Sequence, residues 1–265
     1  MSSNIDIGNL FGNARQEGSI SKASENILTA PDIGVKISAG LGIGVDDVQA
    51  SEVILLTQLI DDSGSITYNR NVKTVQDGHN LVIDAVKDSK QEDNILAHTC
   101  FINGGMLFDY RLIGSADVMD DGNFNPNGMT PLYESAVVTL GRVLAKAQEF
   151  SDQGVPVRTM TLIMTDGAAN GYKNTAKDVK TIIDDMLKTE VHIIAGMGIE
   201  DGSTDFKQVF GEMGIRDEWI LTPKNTHSEI RKAFQVFSRS AIKASQNATS
   251  FSTALGGGFG GSNFP

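Results

Sequence analysis

The sequence predicts an α/β protein whose central sheet is mostly parallel, carries one antiparallel strand at an edge and is covered by helices on both faces. Three observations carry this expectation. Nearly unbroken apolar runs such as Val53–Ile60 and Val157–Met164 suit strands buried on both faces. Segments with helical apolar spacing alternate with those runs, as the crossovers of a parallel sheet require. Two neighbouring runs are joined only by Asn103-Gly104-Gly105, a hairpin turn that folds one strand back against the other.

Residues 1–50 are poor in aromatics and rich in Gly, Ser, Asn and Ala, and are expected to form a partly ordered extension ahead of a domain spanning 51–248. Within it, Ile20–Leu28 reads as a short helix stopped by Pro31, and Asp32–Val45 as an added strand or a loose arm. Val53–Ile60 is the first buried strand. Val72–Val86 follows with helical spacing, its apolar positions including Val75, Val82 and Ile83. Ile95–Ile102 and Met106–Ile113 form the hairpin, and Ala116–Met129 is a polar loop. Thr130 begins the next helix, with Pro131 at its first position, where a missing N–H costs nothing. Val157–Met164 is a strand ending at Thr165-Asp166-Gly167; Thr175–Leu187 is a helix and Val191–Met197 a strand. Phe206–Met213, Trp219–Leu221 and Thr226–Lys243 complete the order as a short helix, a short strand and a closing amphipathic helix. The Gly/Phe-rich stretch 249–265 is expected to be disordered, because Leu255–Gly261 offers too little apolar surface to offset its ordering entropy.

Composition narrows the function. Twenty-two basic against thirty-three acidic residues give a net charge of −11 over 265 residues. Such a surface repels phosphate backbones and argues against a nucleic-acid partner. The single cysteine, Cys100, rules out an internal disulfide and a thiolate zinc cluster, and its strand-like flanks point to a buried thiol. No basic-then-apolar leader and no membrane-length apolar run is seen, so a cytoplasmic protein without a membrane partner is the expectation. His79, His98, His192 and His227 are scattered without metal-ligand spacing and read as core or surface histidines.

Parallel sheets bind ligands beyond the carboxyl ends of their strands, where strand order reverses. That rule directs attention to the loops after Ile60 and Met164 and the loop entering Thr130. The first reads Asp61-Asp62-Ser63-Gly64-Ser65, one carboxylate and two hydroxyls at alternate positions. Thr130 adds a hydroxyl at a helix start, and Asp166 a carboxylate at the end of another strand. Hard oxygens in this combination suit Mg²⁺ or Mn²⁺. Taken singly, Ser63, Ser65 and Thr130 read more readily as helix caps, and Asp61 and Asp166 as ordinary turn residues. Asp62 reads as solvated. Asp120, Asp121, Asn123, Asn125 and Asn127 lack the glycine and bidentate glutamate of a calcium loop and read as turns.

Taken together, Asp-x-Ser-x-Ser after the first strand, a Thr opening the helix after a hairpin, and Thr-Asp-Gly after the next strand resemble the metal-ion-dependent adhesion site of von Willebrand factor A domains. The resemblance covers about Glu52 to Ser245, and Gly196-Met197-Gly198 is similar to the family's usual strand ending. It implies the family's Rossmann-like fold, with Asp61, Ser63, Ser65, Thr130 and Asp166 around one Mg²⁺ or Mn²⁺. It further implies a protein partner that offers a Glu or Asp to the metal, no catalysis, and similarity to stand-alone prokaryotic or phage members. In adhesion members of the family, a change at the position of Thr130 is coupled to a distant helix, here Thr226–Lys243. The rival readings are a phosphoryl-transfer enzyme and an assembly subunit in which the metal is a staple. The first needs a second Asp two residues after a nucleophilic Asp61, where this chain has Ser63. No nucleophile elbow surrounds Ser63 or Ser65, and no glycine-rich phosphate loop follows the first strand.

Overall fold

The computed structural model describes residues 6–88, 92–170 and 173–259. A six-stranded sheet lies at the centre, built from β1 (Val53–Ile60), β2 (Ile95–Phe101), β3 (Met106–Leu112), β4 (Val157–Thr165), β5 (His192–Gly198) and β6 (Ile220–Leu221). Their spatial order is β3-β2-β1-β4-β5-β6. All neighbours are parallel except the β2–β3 hairpin, which puts the antiparallel strand at an edge. Every residue of β1, β2, β4 and β5 is buried, as their continuous apolar runs require.

The helices follow from the crossovers. α4 (Gly64–Tyr68) and α5 (Val72–Lys87) link β1 to β2, whereas α6 (Leu132–Ser151) links β3 to β4 on the other side of β1. Right-handed crossovers running in opposite directions place α5 and α6 on opposite faces. α7 (Ala176–Lys188) packs beside α6, and α8 (Phe206–Glu212) beside α7. α9 (His227–Gln246) returns to pack on α5. The approach is close enough that a Cβ at Gly78 would lie 2.1 Å from Phe234.

In the N-terminal segment the helix expected over Ile20–Leu28 is present as Lys22–Leu28, whereas Asp32–Val45 departs from the expectation of a strand or loose arm, since a helix covers Pro31–Ser38. The segment folds as α1 (Ile7–Gln16), α2 (Lys22–Leu28) and α3 (Pro31–Ser38), packed on α6 and α7. Pro31 ends one helix and opens the next, for its fixed φ suits a first helical turn. Ile33 and Ile37, four residues apart, bury one stripe of α3. The chain then runs along the sheet edge: Ile43 N donates to Tyr110 O at 2.9 Å and Tyr110 N to Gly40 O at 3.4 Å. Gly42, at φ +61°, sits where a Cβ would lie 2.0 Å from Tyr110 O. An edge strand that would otherwise present unpaired groups is thus covered.

The expectation of disorder from residue 249 is likewise corrected. α10 (Ala248–Gly257) is capped by Asn247, whose side chain accepts from Ser250 N, and buries Phe251 and Ala254. Phe259 stands edge-on to Trp219 with ring centres 4.8 Å apart. Phe251, Ala254 and Leu255 fall at helical spacing, and that stripe outweighs the glycines that follow it. The remainder of the expected tail, 260–265, lies outside the described residues. Among the described residues no helix is long and apolar enough to cross a membrane.

Candidate metal centre

The sheet order reverses between β1 and β4, because the chain leaves β1 for β2 on one side and returns from β3 to β4 on the other. Parallel register pairs Ile60 with Met164, so Asp61 leaves its strand level with Thr165, one residue before Asp166 on the adjacent strand. Asp61 is fully buried. Its Oδ1 accepts from Ser63 N at 2.7 Å, the turn that reverses the chain into α4. Its Oδ2 accepts from Thr165 Oγ1 at 2.6 Å and from Asp166 N at 3.4 Å. Ser63 stands at the N-cap of α4 yet makes no capping bond with its side chain. Instead its hydroxyl lies 2.8 Å from the Ser65 hydroxyl, and Ser65 donates to Asp166 Oδ1. Asn69 Nδ2 holds the other oxygen of Asp166 at 3.1 Å.

Thr130 reaches this cluster through the backbone. It immediately precedes Pro131, the N-cap of α6, so the helix begins two residues later than the sequence reading placed it. Asn170 clamps it: Thr130 N donates to Asn170 Oδ1 at 2.5 Å, and Asn170 N donates to Thr130 O at 2.9 Å. Gly64 N donates to Gly128 O and Asn127 N to Asp62 O, lacing the loop before Thr130 to the loop after β1. Thr130 is buried, and its hydroxyl has no hydrogen-bond partner among the described residues. Asp61, Ser63, Ser65 and Asp166 therefore form one hydrogen-bonded cluster, with Thr130 on the loop tied to both of its halves.

Asp62, read from the sequence as solvated, is half-buried and engaged by a neighbouring loop. Its Oδ1 accepts from Asn103 N and Asn103 Nδ2, both at 2.9 Å, and pins the β2–β3 turn to the metal loop. The same Asn103 amide donates to Met129 O. The loop before Thr130 is built of turns as expected: Asp120 accepts from Gly122 N at 2.8 Å, and Asn123 from Asp120 N at 2.9 Å. Buried Met119 and Phe124 anchor it. Asn69, Asn103 and Asn170, which hold three of the acidic or hydroxyl groups in place, carry no recognisable pattern in the sequence.

The site is acidic and short of cations. Burial pushes the Asp166 carboxyl above its usual range, against the hydrogen bonds from Ser65 and Asn69, and nearby Asp61 adds to the rise. Burial does the same to Asp62, opposed by Asn103. Among the described residues no Lys or Arg pairs with Asp61, Asp62 or Asp166. Two buried carboxylates at one point, fixed by neutral donors, form a place where a small hard cation relieves the electrostatic cost. Among the described residues no group of three or more His, Cys, Asp or Glu side chains is placed to hold a metal ion. The donor set is thus rich in hydroxyls, fits a magnesium-like ion and does not fit a soft one. His79, His98 and His192 are buried at about pKa 4, 3 and 4, burial being the leading cause in each, and lie in the core as the sequence suggested.

No family model matches the chain, and no curated protein sequence does. Solved structures do match. The proximal thread matrix protein 1 of the mussel byssus is 16% identical over 74% of this chain and 48% of its own, with a TM-score of 0.52. The same mussel protein with a zinc-occupied metal-ion-dependent adhesion motif matches at 15% identity, 72% and 46% coverage and a TM-score of 0.52. The pilus adhesin SpaC of Lactobacillus rhamnosus GG, in its open conformation, is 12% identical over 74% of this chain and 31% of its own, with a TM-score of 0.55. The chain spans about half the length of the mussel protein and about a third of the adhesin. At these identities the likeness concerns the fold alone. Together with the strand order and the antiparallel edge strand, it gives this chain the von Willebrand factor A fold.

Proposed function

We propose that this protein is a divalent-metal-dependent protein-binding module, in which Asp61, Ser63, Ser65, Thr130 and Asp166 hold Mg²⁺ or Mn²⁺ and a partner contributes a Glu or Asp. The observation that carries this reading is the Asp61–Ser63–Ser65–Asp166 cluster at the sheet's switch point, its two carboxylates buried and without a cationic partner among the described residues. The likeness to a solved protein whose own adhesion motif holds zinc supports it.

The roles follow from the donors. Ser63, Ser65 and Thr130 are neutral, so they offer oxygen without cancelling charge. Asp61 spends its oxygens on Ser63 N, Thr165 and Asp166 N, which leaves it able to act on the ion through water rather than directly. When bound, the metal supplies an under-compensated positive charge that reverses the local sign in a protein of net charge −11 and makes an acidic ligand welcome. Tyr68 (88% exposed) and Met129 (64% exposed) stand next in sequence to Asn69 and Thr130 and give the rim two bare apolar contacts for a partner.

Titration calorimetry tests the assignment. Wild type should bind Mg²⁺ or Mn²⁺ with modest affinity, and Asp61→Ala and Asp166→Ala should each weaken it at least tenfold. Undiminished binding in both variants would sink the assignment. Affinity capture from the native host in Mg²⁺ against EDTA then tests the partner: a metal staple would change thermal stability and leave capture intact, whereas the proposed module loses its partner in EDTA.

A further inference from the structure

Beside the metal loops the protein holds a cavity of about 140 Å³. This is far above the roughly 10–15 Å³ that a single water needs. α6, the end of β2 and its turn, and Lys36 of α3 wall it. Phe101, Ile102 and Val138 supply apolar lining, and Arg142 supplies a guanidinium.

The charges here do not cancel. Lys36 at the wall is ion-paired with Glu134. Arg142 is only 5% exposed, and among the described residues no Asp or Glu pairs with it. Its partners are neutral: Nε and Nη2 donate to Lys36 O at 3.2 and 2.9 Å, and Nη1 to His98 Nε2 at 3.3 Å. Burial and the Arg142 charge together hold His98 unprotonated, at about pKa 3. The Cys100 thiol, also lining the cavity, is pushed up by burial and stays uncharged. The Lys36 carbonyl belongs to the last turn of α3, so Arg142 also caps that helix end, a partial compensation only. Gly40 gives the guanidinium its room, since a Cβ there would lie 2.5 Å from Nε. The cavity therefore carries one net positive charge inside an acidic protein, and a buried cation with neutral partners is costly until an anion joins it.

We propose that this cavity binds a small aliphatic monocarboxylate, its carboxylate on Arg142 and its chain against Phe101, Ile102 and Val138. A monoanion is preferred because Glu134 lines the same cavity and opposes a second negative charge. Guanidinium–carboxylate pairing is the strong, directional form of this contact. The site is separate from the metal centre but adjoins it: Asn103 lines the cavity and bonds Asp62, and Pro131, also in the lining, directly follows Thr130.

Butyrate, titrated by calorimetry in EDTA so that carboxylate binding to a metal cannot contribute, is the test. Wild type should show saturable millimolar binding, and butanol and butylammonium should show none. Val138→Phe fills the cavity while keeping the Arg142 guanidinium and should weaken butyrate at least tenfold; Arg142→Gln should abolish it. Should Arg142→Gln unfold because α3 loses its cap, Val138→Phe still decides. No saturable binding by wild type at 50 mM butyrate, butanol binding as well as butyrate, or full binding by Val138→Phe would each overturn the proposal. None of these outcomes bears on the metal assignment.

Discussion

Asp185 shows how a single side chain fastens the N-terminal helices to the domain. Its Oδ2 accepts from Ser21 N at 2.7 Å and from the buried Ser24 hydroxyl at 2.6 Å, and Lys188 pairs with Oδ1 at 2.7 Å. Burial alone would raise this carboxyl; the bonds from Lys188, Ser21 and Ser24 outweigh it and hold the pKa at about 2. Asp185→Ala strands one buried and one half-buried donor and should cost ~2 kcal/mol in urea unfolding. Because the folded pKa lies below the unfolded one, this stability is present above about pH 4 and is lost as pH falls through 2. An Asp185→Ala protein as stable as wild type at pH 7 would show that α2 is held otherwise. At this scale the sequence reveals the five candidate metal residues because the strand-end loops repeat a recognisable oxygen pattern. It hides Asn69, Asn103, Asn170 and Asp185, since each acts through a contact distant in sequence and follows no local spacing.

At the scale of elements, the buried strands and long helices were legible because their periodicity is unambiguous: α5 and α9 start and end within a few residues of the positions read from the sequence, and α6 starts two residues after Thr130. The chain's ends were less so. α1 buries Ile7, Leu10, Phe11 and Ala14, a helical stripe present in the sequence but diluted by glycine and asparagine. α10 carries Phe251 and Ala254, and what stabilises it is the surface it meets, including Arg158, 5.7 Å from the Phe251 ring. Short helices gain most of their stability from such packing, which composition does not report. Phe251→Ala should therefore cost ~3 kcal/mol. Ending the chain at Asn247 should lower the melting temperature by several degrees or more. Trp219, the only tryptophan, loses the edge-on Phe259 in that truncation, so its emission should shift to longer wavelength. An unchanged melting temperature with unchanged emission would show that α10 is not held on the domain.

For the whole molecule, two electrostatic effects oppose each other as acid is added. A net charge of −11 means that mild acidification removes self-repulsion and by itself favours the compact state. Against this stand three buried histidines. His79 sits between Asn80 and Thr99, His98 between Phe108 O and Arg142, and His192 on Thr159. Burial, aided at His98 by Arg142, lowers their pKa values to about 4, 3 and 4. In the unfolded chain each takes up a proton near pH 6.5, which the folded protein refuses, so their stabilisation is complete above pH 6.5 and declines as pH falls toward 4. Each group contributes ~1.4 kcal/mol per pH unit within that window, so the three together outweigh the relief of diffuse surface repulsion. Urea midpoints measured in EDTA, which keeps metal binding out of the comparison, should therefore fall steadily from pH 7 to 4.5. Replacing His192 with Asn should flatten the slope by about one such proton. A midpoint that rises on acidification would mean that surface charge, rather than the protonation of core histidines, governs the stability of this fold.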